Sequence, residues 1–127
     1  MNILYEDNHI IIVNKAAGEI VQGDKTGDRT LCDEVKAYIK EKYAKPGAVF
    51  LGIPHRLDRP VSGICVFART SKALTRLNDM FRKSEVKKTY HAIVGNCPKL
   101  PEAELVHYLT RNEKQNKAYA HEKEVAG

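Results

Sequence analysis

The chain has no tryptophan, only three cysteines, and only five prolines and eight glycines in 127 residues. Each scarcity excludes something. Cys32, Cys65 and Cys97 are widely scattered and odd in number. They make neither a metal-binding pair nor a disulfide framework, and a reducing cytoplasm is the simple expectation. The five histidines have no ligand spacing, so no metal site is expected. No glycine-rich nucleotide fingerprint is present. No apolar run approaches the roughly 18 residues that span a membrane, and no signal peptide is visible. Internal repeats and low-complexity tracts are also missing.

What is present is a modest, basic, globular chain. Apolar residues make up 43% and charged residues 29%, which suits a folded rather than a disordered segment. The length allows at most one modest domain. The net charge of +5 and the pI of about 9.1 suit a partner that is a polyanion, RNA or DNA above all.

The informative stretch is Ile53 to Ala68. Its first half, Pro54 to Pro60, is a charged loop between two prolines, which push Ile53 and Arg59 towards extended conformations. In an extended loop, alternation puts Arg56 and Asp58 on one face and His55, Leu57 and Arg59 on the other. Leu57 can then anchor the loop while Asp58 faces outward. The second half, Ile64 to Ala68, reads as a short buried strand. Asp58 lies between Arg56 and Arg59, and a nearby guanidinium lowers a carboxylate pKa by about 1–3. An aspartate so placed is a permanent anion, suited to act as nucleophile or weak base rather than as general acid. The plain alternative is a salt bridge that ties the loop.

His55-Arg56-Leu57-Asp58-Arg59 followed by Val61-Ser62-Gly63 resembles the signature of the RluA-type pseudouridine synthases. Two flanking stretches agree. Val13-Asn14-Lys15-Ala16-Ala17-Gly18 is similar to the family's first motif, Asn-Lys-Pro-x-Gly, with Ala16 where proline is usual. Lys88-Thr89-Tyr90-His91-Ala92-Ile93-Val94-Gly95 resembles the segment that carries the family's active-site tyrosine. The resemblance runs from about Ile3 to the chain end.

Elsewhere the pattern is local. Ile3 to Lys15 reads as a hairpin, with strands at Leu4 to Glu6 and Ile10 to Val13 around Asp7-Asn8. Lys15 to Gly27 reads as a loop, RNA-facing through Lys15 and Gln22 or else a plain surface crossover. Thr30 to Tyr43 predicts a helix, with Thr30 as N-cap, Asp33 as its capping-box partner and a stripe of Leu31, Val35, Tyr38, Ile39 and Tyr43. Ser71 is placed to cap a second helix over about Lys72 to Lys83, with Leu74, Leu77 and Phe81 buried. Its basic residues, Arg69, Lys72, Arg76, Arg82 and Lys83, suit a solvated face or a phosphate-contacting one. Lys87 to Val94 reads as a strand, Asn96 to Pro101 as a break, and Glu104 to Thr110 with Lys117 to His121 as a final hairpin.

The expected fold class is α+β, a mixed, mainly antiparallel sheet flanked by two helices. The resemblance makes it part of the pseudouridine synthase catalytic fold. It also implies an RNA partner, ribosomal or transfer RNA, no cofactor and no metal, since isomerising uridine exchanges no electrons and no water overall. It assigns Asp58 as the catalytic carboxylate, with its attack on sugar, attack on base or proton removal left open. Arg56 stands for the arginine beside the flipped nucleotide and Tyr90 for the ring that packs against the base. Arg59 and Lys15 complete the expected substrate-binding set. The family's later segment, His-x-Gly-Arg-x-His-Gln-x-Arg, has no match after Lys117. The expectation is therefore a partial catalytic domain over 1–127, without a separate RNA-binding domain, weakly active or inactive alone and prone to self-association through uncovered edges. The other readings are a non-catalytic RNA-binding module on the same scaffold, and an unrelated basic α+β protein such as a nuclease. The last needs clustered metal-binding carboxylates that Asp58 lacks.

Overall fold

The computed structural model describes residues 1–23 and 26–124. Positions 24 and 25 of the predicted polar loop, and the last three residues, lie outside the described residues. The chain divides into two compact units, Met1–Thr89 and Tyr90–Gly127, each described by itself.

The first unit starts with a hairpin. Strand β1, Asn2–Glu6, pairs antiparallel with β2, Ile10–Lys15, with one irregularity in register between Ile3 and Tyr5. Asp7 makes the turn: its carboxylate accepts from the backbone N–H groups of His9 (2.7 Å) and Ile10 (2.8 Å), as aspartate does in tight turns. Strand β3, Gly63–Ala68, adds antiparallel to the other side of β2 and gives the order β1-β2-β3. Alternation along β2 sends Ile11, Val13 and Lys15 to one face, all fully buried. Cys65 and Phe67 of β3 join that core.

Helix α1, Leu31–Lys42, covers it with Leu31, Cys32, Val35 and Ile39. Its start is the predicted capping box. The Thr30 hydroxyl accepts from the Asp33 N–H at 3.0 Å, and the Asp33 carboxylate accepts from the Thr30 N–H at 3.1 Å. Two residues of the predicted stripe behave differently. Tyr38 is only partly buried and Tyr43 is exposed; both hydroxyls donate to the Glu6 carboxylate, at 2.6 and 3.1 Å. Amphipathic tyrosines at the core margin keep the ring on apolar surface and the hydroxyl on a polar partner.

Helix α2, Ser71–Arg82, lies along β3. Its cap is Thr70, one residue before the predicted Ser71: the Thr70 hydroxyl accepts from the Ala73 N–H at 3.1 Å. Adjacent threonine and serine are both competent caps, so composition does not separate them. Leu74, Leu77 and Phe81 are half-covered rather than buried, and only Ala73 is sealed. Gly52 allows the close approach of this helix, since a Cβ there would meet the Leu74 side chain at 2.9 Å.

The second unit holds a hairpin of β4, Tyr108–Asn112, and β5, Lys117–His121, paired antiparallel. β4 starts later than the predicted Glu104. The predicted strand at Lys87 to Val94 is not formed: no residue there pairs with a strand among the described residues. Alternating apolar residues make a strand only when another strand takes the hydrogen bonds, and Ile93 stands fully exposed. The observed class is α+β, with two antiparallel sheets and two helices among the described residues. No helix among the described residues is long and apolar enough to cross a membrane.

Thr30→Ala removes the α1 cap and is expected to lower unfolding free energy by about 0.5–2 kcal/mol. Phe67→Ala empties the core centre and should cost about 3–5 kcal/mol. Both are read from urea midpoints at constant m-value; an unchanged midpoint in either variant contradicts the packing described.

Candidate active site

The charged loop begins where the sheet edge ends. Gly52 and Ala68 exchange two backbone hydrogen bonds, 2.8 and 2.9 Å, a single bridge on the outer side of β3. Pro54 then arrives without an N–H, and the chain leaves the edge. The next outward N–H of β3, that of Val66, donates instead to His55 Nε2 at 2.9 Å. The His55 ring also stacks on Phe81 of α2, centroids 5.0 Å apart and planes at 22°. Burial pushes the His55 pKa down, and the Lys88 ammonium pushes it the same way.

Beyond His55 the alternation expected of an extended loop is present. Leu57 packs on the core, whereas Arg56 and Asp58 are exposed. A turn follows, closed by the Val61 N–H donating to the Asp58 carbonyl at 3.0 Å. Among the described residues, no hydrogen bond or ion pair engages the Asp58 carboxylate. The Arg59 guanidinium, expected beside it, turns to the Asp28 carboxylate at 2.9 Å and the Thr26 hydroxyl at 3.4 Å. Asp28 lies 31 positions from Arg59 in sequence and still captures it, because the polar loop brings it back to the arginine. Sequence proximity of Arg59 to Asp58 is therefore not pairing.

Lys15 departs furthest from expectation. Predicted on an RNA-facing loop, it is fully buried as the last residue of β2. Its ammonium donates to the carbonyls of Ala16 (3.0 Å), Glu19 (2.7 Å) and Arg59 (3.1 Å). Three donors meet three acceptors, the condition under which a buried charge is tolerated. The Arg59 carbonyl takes a second bond, from the Gly18 N–H at 2.7 Å. Gly18 has φ +94°, a conformation that favours glycine. Ala16, where the family motif has proline, donates its N–H to the Glu19 carboxylate at 2.9 Å, a bond proline lacks.

The structure thus gathers Arg56, Asp58, Arg59 and Lys15 in one loop system of the first unit, with Lys15 beneath it rather than on it. Tyr90 opens the second unit, outside any strand and 63% exposed. His55 is the residue for which the sequence suggested no task. A signal existed: a proline at 54 ends strand pairing and leaves an edge N–H to be satisfied. Among the described residues, no group of three His, Cys, Asp or Glu could hold a metal ion.

The first unit is thus an antiparallel α+β unit that displays an exposed carboxylate on a proline-bounded loop. The match is to the family described as RNA pseudouridylate synthase, over residues 9–127, and the chain belongs to that family. Ribosomal large subunit pseudouridine synthase C of Vibrio parahaemolyticus is 38% identical to it over 92 residues, 72% of this chain and 27% of that protein. The protein of the same name from Escherichia coli is 36% identical over the same shares. The chain therefore spans about a quarter of the length of these relatives. Human RNA Pseudouridylate Synthase Domain Containing 4 aligns with a TM-score of 0.56 over 66% of this chain and 30% of that one. At 24% identity this is a likeness of fold.

Lys15→Met keeps the stem and removes all three donors. Each stranded carbonyl costs about 1–3 kcal/mol, so the variant should be destabilised and its loop loosened. Amide hydrogen exchange is expected to accelerate at Gly18 and Val61 before the core amides. Unchanged protection at both would show that the ammonium does not hold the loop.

Proposed function

We propose that this chain forms part of an RNA pseudouridine synthase, in which Asp58 is the catalytic carboxylate. The observation that carries the reading is that Asp58 is exposed and uncommitted while the backbone on both sides of it is fixed. In the reaction the bond from uracil N1 to ribose C1′ breaks, the base turns, C5 bonds to C1′, the C5 proton leaves and N1 takes one up. A carboxylate free of structural partners can attack or accept a proton at the sugar or base. The family resemblance assigns Arg56, also exposed, to the space vacated by the flipped nucleotide, and Tyr90 to the face of the base. Arg59 orients the loop through Asp28 before it meets any phosphate.

The relatives are named for the ribosomal large subunit, which supports ribosomal RNA rather than transfer RNA as the substrate and a reaction in the cytoplasm as the reading. The chain's share of about a quarter of its relatives' length supports reading residues 1–127 as part of a catalytic domain. Open apolar side chains of the second unit, Ile93 and Leu105 among them, favour self-association of the isolated chain.

In the protein that carries this segment, Asp58→Asn should leave RNA affinity within about twofold, because affinity rests on phosphate contacts. It should lower pseudouridine formation by roughly a thousandfold or more, as for other reacting groups. Tritium release from labelled uridine transcripts measures the second and filter binding the first. RNA binding with no pseudouridine formed by the unsubstituted protein would identify a non-catalytic RNA-binding module instead.

A further inference from the structure

The loop that bears Asp58 is fixed at its far end by Lys15 and Gly18, and at its near end by a histidine whose protonation state is dictated by its partner. A backbone N–H can only donate. The contact from the Val66 N–H to His55 Nε2 at 2.9 Å therefore requires a lone pair on Nε2, and the single ring proton sits on Nδ1. An imidazolium has no lone pair to offer and would set two N–H groups against each other. The Phe81 ring stacked on His55 fills the space beside it, so the imidazole cannot turn freely to another partner.

We propose that His55 is a positioning residue for Asp58: as a neutral imidazole it stands in for a missing strand at the β3 edge, and its protonation releases the near end of the loop. The inference rests on the reading above only for the use made of Asp58. The geometry is a property of this chain. The groups around the ring set the expected pH dependence. β3 contributes the Val66 backbone and α2 the neutral ring of Phe81. The segment after α2 contributes Lys88, whose ammonium lies 5.4 Å from the Phe81 centroid. The loop itself contributes Arg56 and Asp58, both exposed. Burial first, then Lys88, opposes a second positive charge. Above the ordinary value of 6.5 the ring is neutral whether folded or unfolded, and the contact is fully present. Below 6.5 the unfolded chain takes its proton first, and stability falls with pH until the folded ring is protonated too.

The test uses the whole chain and nuclear magnetic resonance, with no activity readout, so it stands or falls apart from the assignment of the reaction. The ring nitrogens of His55 should report the Nδ1-protonated tautomer at pH 8. The ring should titrate below 6.5, and the Val66, Asp58 and Val61 amides should follow its midpoint. His55→Phe keeps an aromatic ring on Phe81 and loses the acceptor; Val66 amide exchange is expected to rise tenfold or more, with the Asp58 turn loosened. His55→Gln returns an acceptor that does not titrate there, so protection should recover and the step below 6.5 should vanish. A ring protonated on Nε2, a midpoint at or above 6.5, or an Asp58 turn unaltered in His55→Phe would each overturn the proposal.

Discussion

A lysine ammonium buried under the sheet end is the constraint on which the candidate site depends. Lys15 Nζ joins three carbonyls from two loops, and one of them, that of Arg59, is the residue after Asp58. A charge taken out of water costs several kcal/mol unless its hydrogen bonds are all made, so the ammonium tolerates few arrangements of those carbonyls. It acts less as glue than as a template. The Gly18 N–H on the same Arg59 carbonyl, and the Glu19 carboxylate on the Ala16 N–H, hold the first loop in the form the template needs.

The opposite end of the loop has a different problem. β3 is an edge strand, and after one bridge from Gly52 no strand among the described residues pairs with its outward N–H groups. An open edge invites pairing with another chain. His55 closes the place nearest the bridge with a side-chain acceptor and turns the backbone away from the edge in the same step. Gly52 makes this economical in space: without a Cβ it lets Leu74 of α2 press against the point where the chain departs. Edge protection and loop placement are one structural solution, made by residues 52 to 55.

Which of these features were legible in the sequence follows from how far apart the cooperating residues lie. The α1 capping box, the hairpin turn at Asp7 and the alternation of Arg56, Leu57 and Asp58 depend on neighbours within four positions, and all were readable. The tie from Lys15 to Arg59 joins residues 44 positions apart, and polarity alone suggested a surface role for the lysine. A clue lay in the period: Lys15 continues the buried alternation of Ile11 and Val13. The segment Lys87 to Val94 failed the other way. Its pattern is that of a strand, but pairing is not a property of one segment, and among the described residues none supplies the partner. Arg59 misled by proximity, since Asp28 competes for it from 31 positions away.

The two anchors share a property that bears on chemistry. Both act on the main chain or on residues next to Asp58, and neither touches its carboxylate. A loop aspartate is commonly held by its own side chain, through an ion pair or a turn hydrogen bond, and is then spent on structure. Here the positions before and after it carry that burden, through Leu57 in the core and the Arg59 carbonyl on Lys15. A reacting carboxylate needs its lone pairs available and its position fixed within a fraction of an ångström. Those demands conflict unless rigidity is supplied through the backbone, and this loop supplies it so.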